Sequence, residues 1–391
     1  MPRFLEKRKE LAAQRAAQEE ERKQLSLKLH LETFGRPRRQ PHELGEGEKW
    51  WRDHYQWLYD AGYQLRPRYH PEWVASWKTG NLDWIDCEDS MVQLTNPMDA
   101  TRLSDGRCIA IKRLKISTHP FEVAIAQYLW NEELRTDLAN HTVPIFDVLH
   151  PPDDADCALL VMPLLLRYDV HRFETIGEVV EFFRQVFEGL QFMHKKHVAH
   201  RDCMGLNIMM DGEVLYDEPF HPLRPKRKRD LSGFASRRTR TERPPKYLFI
   251  DFGISRRYDA STKEPLEDPI LGGDKTVPEF QHSDEPRNPF PTDVYYLGNM
   301  IREDFMTEKV GFDFVAGLVN DMVQDDPRKR PTVDEVVARF EGIRKSLSHS
   351  KLRSRVVSKD ENRFDAVFRG IAHWTRRIGF VVRRIPPVPV L

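Results

Sequence analysis

The 391-residue sequence predicts an α+β fold: a small antiparallel β-sheet with one helix, followed by a larger, mainly helical part. Three observations carry this. Short apolar and β-branched runs bounded by turn residues crowd residues 99–162. From residue 179 apolar side chains recur at helical spacing. Two charged motifs, His200-Arg201-Asp202 and Asp251-Phe252-Gly253, each follow an apolar run, as loops do at the ends of short buried strands.

Taken in order, residues 1–45 are rich in Glu, Lys, Arg, Gln and Ala, with no apolar recurrence at a and d positions. That predicts a solvated helix or disordered arm, not a coiled coil. Residues 46–90 hold Trp50, Trp51, Trp57, Trp73, Trp77 and Trp84 with four tyrosines. Such aromatic density predicts an extension docked on the following domain, read as residues 91–348. In its first part, residues 99–103 and 108–115 read as a hairpin turned at Ser104-Asp105-Gly106. Residues 122–129 read as a helix, and 143–149 and 158–162 as two more strands. In its second part, Val179, Val180, Phe183, Val186, Phe187, Leu190 and Met193 define a buried helix. Residues 312–322 and 333–347 are amphipathic. The tail, 349–391, carries Phe364, Val367, Phe368, Ile371, Trp374 and Ile378 at helical spacing beside Arg369, Arg376 and Arg377. Such a stripe predicts packing on the helical part, with contact to an anionic surface as the rival.

Basic and acidic residues number 61 each, so the net charge is +0 and no specific nucleic-acid binding is expected. Cys87, Cys108, Cys157 and Cys203 show neither C-x-x-C pairing nor metal-ligand spacing. This predicts reduced thiols in an intracellular protein, cytoplasmic or nuclear. No apolar run reaches the roughly 20 residues of a membrane-spanning helix, so no transmembrane segment is expected.

The chemistry concentrates in His200-Arg201-Asp202-Cys203-Met204-Gly205-Leu206-Asn207. Five positions separate Asp202 from Asn207, so one loop can aim a carboxylate at a substrate hydroxyl and an amide oxygen at a metal. Asp251 supplies a second oxygen ligand. Ile109-Ala110-Ile111-Lys112 reads as a strand ending in an amine that grips phosphates. Phosphoryl transfer from ATP requires these parts. Val277-Pro278-Glu279, Asp293-Val294-Tyr295-Tyr296-Leu297-Gly298, Asp326-Pro327 and Arg330-Pro331-Thr332 follow. On these residues, from about 108 to about 347, the chain resembles the eukaryotic protein kinase family. Less specifically it resembles a divergent fungal branch known mainly from mushroom-forming fungi, through residues 62–69, 207–211 and 273–275.

The resemblance implies a two-lobed, protein-kinase-like fold, with a small lobe over about 91–163 and a large lobe over about 164–348. It implies ATP and Mg²⁺ as cofactors and a protein substrate, phosphorylated on serine or threonine. Lys112 would hold the ATP phosphates and pair with Glu122; Glu132 and Glu133, at a more ordinary separation but in a stretch that reads as a loop, are the alternatives. Met162 would be the gatekeeper, and Leu164 would lie in the ATP-binding hinge. Asp202 would be the catalytic base, and Asn207 and Asp251 the metal ligands. Arg201 would bind a phosphate on the activation segment, with Ser255, Tyr258, Ser261, Thr262 and Thr276 as acceptors. Phe252 and Gly253 would open that segment. Glu279 would close it, paired with Arg330, and Asp293 would anchor the catalytic loop.

Three features depart from the family pattern. No G-x-G-x-x-G precedes Lys112, and the candidate segment, residues 90–97, lacks the glycines that let backbone N–H groups approach phosphates. Met204 stands where serine/threonine kinases place a lysine. The stretch from Asn207 to Asp251 spans 44 positions, far longer than usual. These departures keep two other readings open: a pseudokinase acting as an ATP-binding or scaffold module, and a small-molecule phosphotransferase. The long stretch holds a basic insertion, residues 212–246. Its Pro225-Lys226-Arg227-Lys228-Arg229 run resembles a nuclear localisation signal. Lys226, Arg227, Lys228 and Arg229 would there contact an import receptor; the rival is a solvated flexible loop.

Overall fold

The computed structural model describes residues 40–92, 97–270 and 273–390. The N-terminal arm to residue 39, and residues 93–96 of the segment read as a phosphate loop, lie outside them. The chain divides into two compact units. Of the described residues, one holds 40–58 together with 66–92, and the other holds 59–65 and those after 92.

The first unit contains α1 (Glu46–Asp53), and α2 (Tyr55–Asp60) begins in it. Its centre is polar. Arg68 is fully buried and donates to Glu48 Oε1 at 2.6 Å, and also to the carbonyls of Pro41 and Asp89. Trp73 stacks over the same guanidinium at 4.9 Å and donates its indole N–H to Asp89. Asp89 also accepts from the backbone and hydroxyl of Ser76. A buried charge is tolerable when it is paired and hydrogen-bonded, and with the Glu43 carbonyl accepting from Nη2 at 3.3 Å each guanidinium nitrogen of Arg68 has a partner.

The second unit is α+β. A curled five-stranded antiparallel sheet runs in the order β1-β2-β3-β5-β4. Its strands are β1 (Tyr63–Leu65), β2 (Met98–Arg102), β3 (Cys108–Lys115), β4 (Asp147–Leu149) and β5 (Cys157–Pro163). β2 and β3 form the expected hairpin. Gly106 turns it at φ +71°, and Asp105 accepts from the Arg107 N–H at 3.1 Å. β1 is an edge strand inside the window read as extension. The strand read over 143–149 starts only at Asp147: Pro144 has no N–H to give a ladder. Helix α3 (Glu122–Leu129) buries Ile125, Ala126 and Leu129.

The helical part is organised on α4 (Ile176–Lys195), which follows the short strand β6 (Leu166–Arg167). Thr175 caps α4 by accepting from the Glu178 N–H at 3.2 Å. Val179, Val180, Phe182, Phe183 and Leu190 are fully buried on several faces. Gly189 is required, because a Cβ there would come within 2.6 Å of His141 and 2.9 Å of Phe249. After α4 come β7 (Val198–Ala199) and β8 (Ile208–Met210), then β9 (Phe220–His221), β10 (Arg224–Lys228), β11 (Tyr247–Phe249) and β12 (Arg256–Arg257). β11, β8 and β6 form a small sheet, and β12 pairs with β7.

The basic insertion is folded. β9 and β10 pair with each other, and Lys228 bridges to Glu218 at 2.9 Å. Arg240 is buried and donates to the carbonyls of Tyr168, His171 and Arg172.

α5 (Pro289–Ile301) continues into a π-helical turn over Arg302–Thr307. Then come β13 (Lys309–Val310), α6 (Ala316–Met322) and α7 (Val333–Ser346). The tail forms α8 (His349–Leu352), β14 (Val357–Ser358) and α9 (Arg363–Val382). The tail stripe read as packing does not pack. Phe364, Val367, Phe368, Ile371, Trp374 and Ile378 are all exposed, because α9 rests on the protein through its polar face.

Candidate active site

β3 delivers Lys112 from an otherwise buried strand. Its Nζ donates to Glu122 Oε1 on α3 and, at 2.9 Å, to Asp251 Oδ1. Burial opposes the ammonium charge, but the Glu122 and Asp251 carboxylates outweigh it and hold the lysine above its usual pKa. Burial raises the Asp251 carboxyl, and Lys112 more than reverses that, leaving it below the usual range. Asp251 adopts φ +64°, a left-handed conformation that costs a non-glycine residue energy. Gly253 permits the close approach. A Cβ there would lie 2.9 Å from His119 Nδ1 and 3.2 Å from Glu122 Oε2. Phe252 is buried and its ring lies tilted at 56° against that of His200, centroids 5.4 Å apart.

The loop after β7 is held by Asp293 of α5. That buried carboxylate accepts the backbone N–H groups of His200 at 2.8 Å and Arg201 at 2.7 Å. His200 faces the Ile250 carbonyl at 3.0 Å and is fully buried, a supporting position. Arg201, also left-handed at φ +69°, leaves its guanidinium pointing into the segment after Gly253.

Asp202 and Asn207 meet within this loop. Asn207 Nδ2 donates to Asp202 Oδ2 at 2.7 Å and to its carbonyl at 3.0 Å. Both donations use Nδ2, so Oδ1 is the atom left to face a cation. Asp202 Oδ1 is buried with no hydrogen-bond partner. Burial first, then the nearby Asp251 and Asp293 charges, hold the Asp202 carboxyl above its usual pKa, with His200 and Asn207 opposing. Gly273, at φ +72°, sits directly over it: a Cβ there would come within 2.7 Å of Asp202 Oδ1.

The sequence expects a phosphate as the partner of Arg201. The structure puts a carboxylate there, Glu267, 3.2 Å away. Of the five expected phosphate acceptors, Ser255 is buried on the His200 carbonyl, Tyr258 donates to Glu267, and Thr276 is bonded to Asp274. Glu279 grips Arg330 with both oxygens, at 2.8 and 2.6 Å, a fully buried bidentate pair.

Met162 lies near the end of β5 opposite Ala110, and Leu164 follows the strand. A cavity of about 480 Å³ opens beside Leu164, walled by Cys108 of β3 and by Tyr216, Phe220 and Arg229 of the insertion. Arg229 reaches across to Thr101 Oγ1 at 2.8 Å and to the Cys108 sulfur. Composition alone made this stretch look solvated; no local pattern pairs Arg229 with a strand more than 100 residues earlier.

Among the described residues no three or more His, Cys, Asp or Glu side chains gather as a metal cluster. A hard cation held by one Asp, one Asn and phosphate oxygens does not require one. The arrangement thus joins a carboxylate-gripped amine, Lys112, to an acid with one unsatisfied oxygen, Asp202, and to the side-chain oxygens of Asn207 and Asp251. The chain matches no protein-family model, and no curated protein matches it.

Proposed function

We propose that the protein is an ATP-dependent protein kinase of two-lobed fold, moving the γ-phosphoryl group to a serine or threonine hydroxyl. The observation that supports this most is the Lys112–Glu122–Asp251 network beside the Asp202–Asn207 pair. Lys112 would hold the α- and β-phosphates, kept in place by Glu122. Met162 and Leu164 would border the adenine. Asp202 would orient the substrate hydroxyl and take its proton; its raised pKa suits it to carry one. Asn207 Oδ1 and Asp251 would hold Mg²⁺, which when bound neutralises charge on the phosphate oxygens. Lys112 occupies Asp251 Oδ1, and Oδ2 would remain for the cation.

Two observations favour the second reading, a pseudokinase scaffold. Gly273 packs on Asp202 where a substrate hydroxyl would enter. The connection from β1 to β2 also holds a single glycine, Gly80. A radiolabelled-ATP assay with Mg²⁺ or Mn²⁺ decides between them. Transfer by the wild type that vanishes in Asp202→Ala supports the kinase. ATP-dependent thermal stabilisation without transfer supports the scaffold.

A further inference from the structure

Helix α9 is mounted with its apolar face outward. Phe364, Phe368 and Val382 are 82%, 72% and 75% exposed, and Ile371, Trp374 and Ile378 continue the same face. Between residues 367 and 382 the exposed positions are otherwise apolar, with Thr375 the one polar side chain. None of the described residues covers this face.

The orientation is fixed by the opposite side of the helix. Arg376 pairs with Glu174 at 2.7 Å, Arg369 with Glu361 at 2.7 Å and Arg383 with Glu242 at 2.9 Å. His373 and Phe380 are buried on that side. The chain beyond the helix is held too, its Pro387 carbonyl lying so close to α4 that a Cβ on Gly177 would overlap it at 1.8 Å. Turning the apolar stripe inward would break three ion pairs.

We propose that this face is a docking surface for an anionic lipid bilayer. The argument is one of charge and shape. Residues 363–384 carry six arginines and one acidic residue, Asp365. Exposed arginines stand at both ends of the stripe, Arg363 at one and Arg383 and Arg384 at the other. Arg377 stacks over the Trp374 ring at 4.9 Å, placing an indole at the border between the apolar and basic surfaces. A helix of 20 residues is about 30 Å long and can lie in the headgroup plane with its apolar side chains among the acyl chains. A second copy of the chain is the poorer occupant, because it would bring the exposed arginines at the ends of the stripe, Arg363 and Arg384, against surface of the same charge. Among the described residues no helix is long and apolar enough to cross a membrane. The proposal is independent of the kinase reading.

The test is flotation of the full chain with phosphatidylcholine vesicles, with and without phosphatidylserine. The wild type is expected to float with the phosphatidylserine vesicles and much less with the neutral ones. Phe368→Glu, at an exposed position, is expected to lower binding by about tenfold or more with an unchanged melting temperature. Ile378→Glu reports the same from an independent site. Arg384→Gln is expected to lower binding about fivefold, on the anionic vesicles only. Absence of wild-type binding overturns the proposal, as does binding that both glutamate variants leave intact. So does a wild-type dimer, seen by light scattering, that Phe368→Glu converts to monomer.

Discussion

Glu267 holds Arg201. Its Oε2 lies 3.2 Å from the Arg201 guanidinium and 3.5 Å from that of Arg256, while Oε1 accepts from the Tyr258 hydroxyl at 3.0 Å. One carboxylate thus ties the loop bearing Asp202 to the segment after Gly253. A phosphate could do the same with more charge, but the side chain is already part of the chain and needs no second enzyme.

Removing this carboxylate should loosen the segment. Glu267→Ala leaves Arg201, 8% exposed, with only carbonyl partners. The expected loss is about 1–3 kcal/mol, with faster proteolysis between residues 257 and 270. Phosphatase treatment of the wild type should change neither. An unaltered cleavage rate in Glu267→Ala would remove the assignment.

Lys112 and Glu122 should behave as one unit. Lys112→Met strands a carboxylate only 2% exposed, and a loss of about 3 kcal/mol is expected. Adding Glu122→Gln should recover at least half of it. Chemical denaturation of the two single variants and the double variant measures the coupling, and simple additivity would contradict the geometry. ATP·Mg²⁺ should stabilise the wild type but not Lys112→Met.

Asp202→Asn should make the protein more stable while abolishing transfer. The Asp202 carboxyl is held above its usual pKa by burial, so its charged form is penalised in the folded state. That penalty applies above the folded pKa and lifts as pH falls through it. A gain of about 1 kcal/mol is therefore expected at neutral pH, shrinking toward acid. Parallel melting curves against pH check it, and a destabilised variant at neutral pH would refute it.

His171 should make stability fall in mild acid. Its ring is buried against the Tyr216 hydroxyl, and burial, followed by Arg237, Arg240 and Lys226, lowers its pKa from 6.5 to about 4. The folded state therefore favours the neutral ring. Its contribution is complete above pH 6.5 and is lost as pH falls through 4, because the unfolded chain takes up the proton first. His171→Gln should flatten the melting temperature across that window. Identical slopes would show that other groups dominate.

Lys112, Asp202, Asn207 and Asp251 were legible because their chemistry is written in local spacing, and α4 because its apolar residues recur every three or four positions. Glu267 was not, since it meets Arg201 from 66 positions away and nothing around it is distinctive. β1 was hidden because three residues in an aromatic window carry no periodicity. For α9 the pattern gave the stripe but not its direction; that is decided by Glu174, Glu242 and Glu361, acids on other elements.

The chain joins the sheet early, leaves it, and returns. β1 ends at Leu65 and its partner β2 begins at Met98, with residues 66–92 belonging to the other unit. A fragment begun at residue 91, where composition suggests a domain start, would lack β1. Ala100, Thr101 and Arg102 would then lose the neighbours Leu65, Gln64 and Tyr63. Their free N–H and C=O groups would form a bare edge beside the buried Met98 and Ala100, a template for strand addition between molecules. Such a fragment should self-associate into sheet-rich aggregates, and the seven residues 59–65 are what keep the intact chain from doing so.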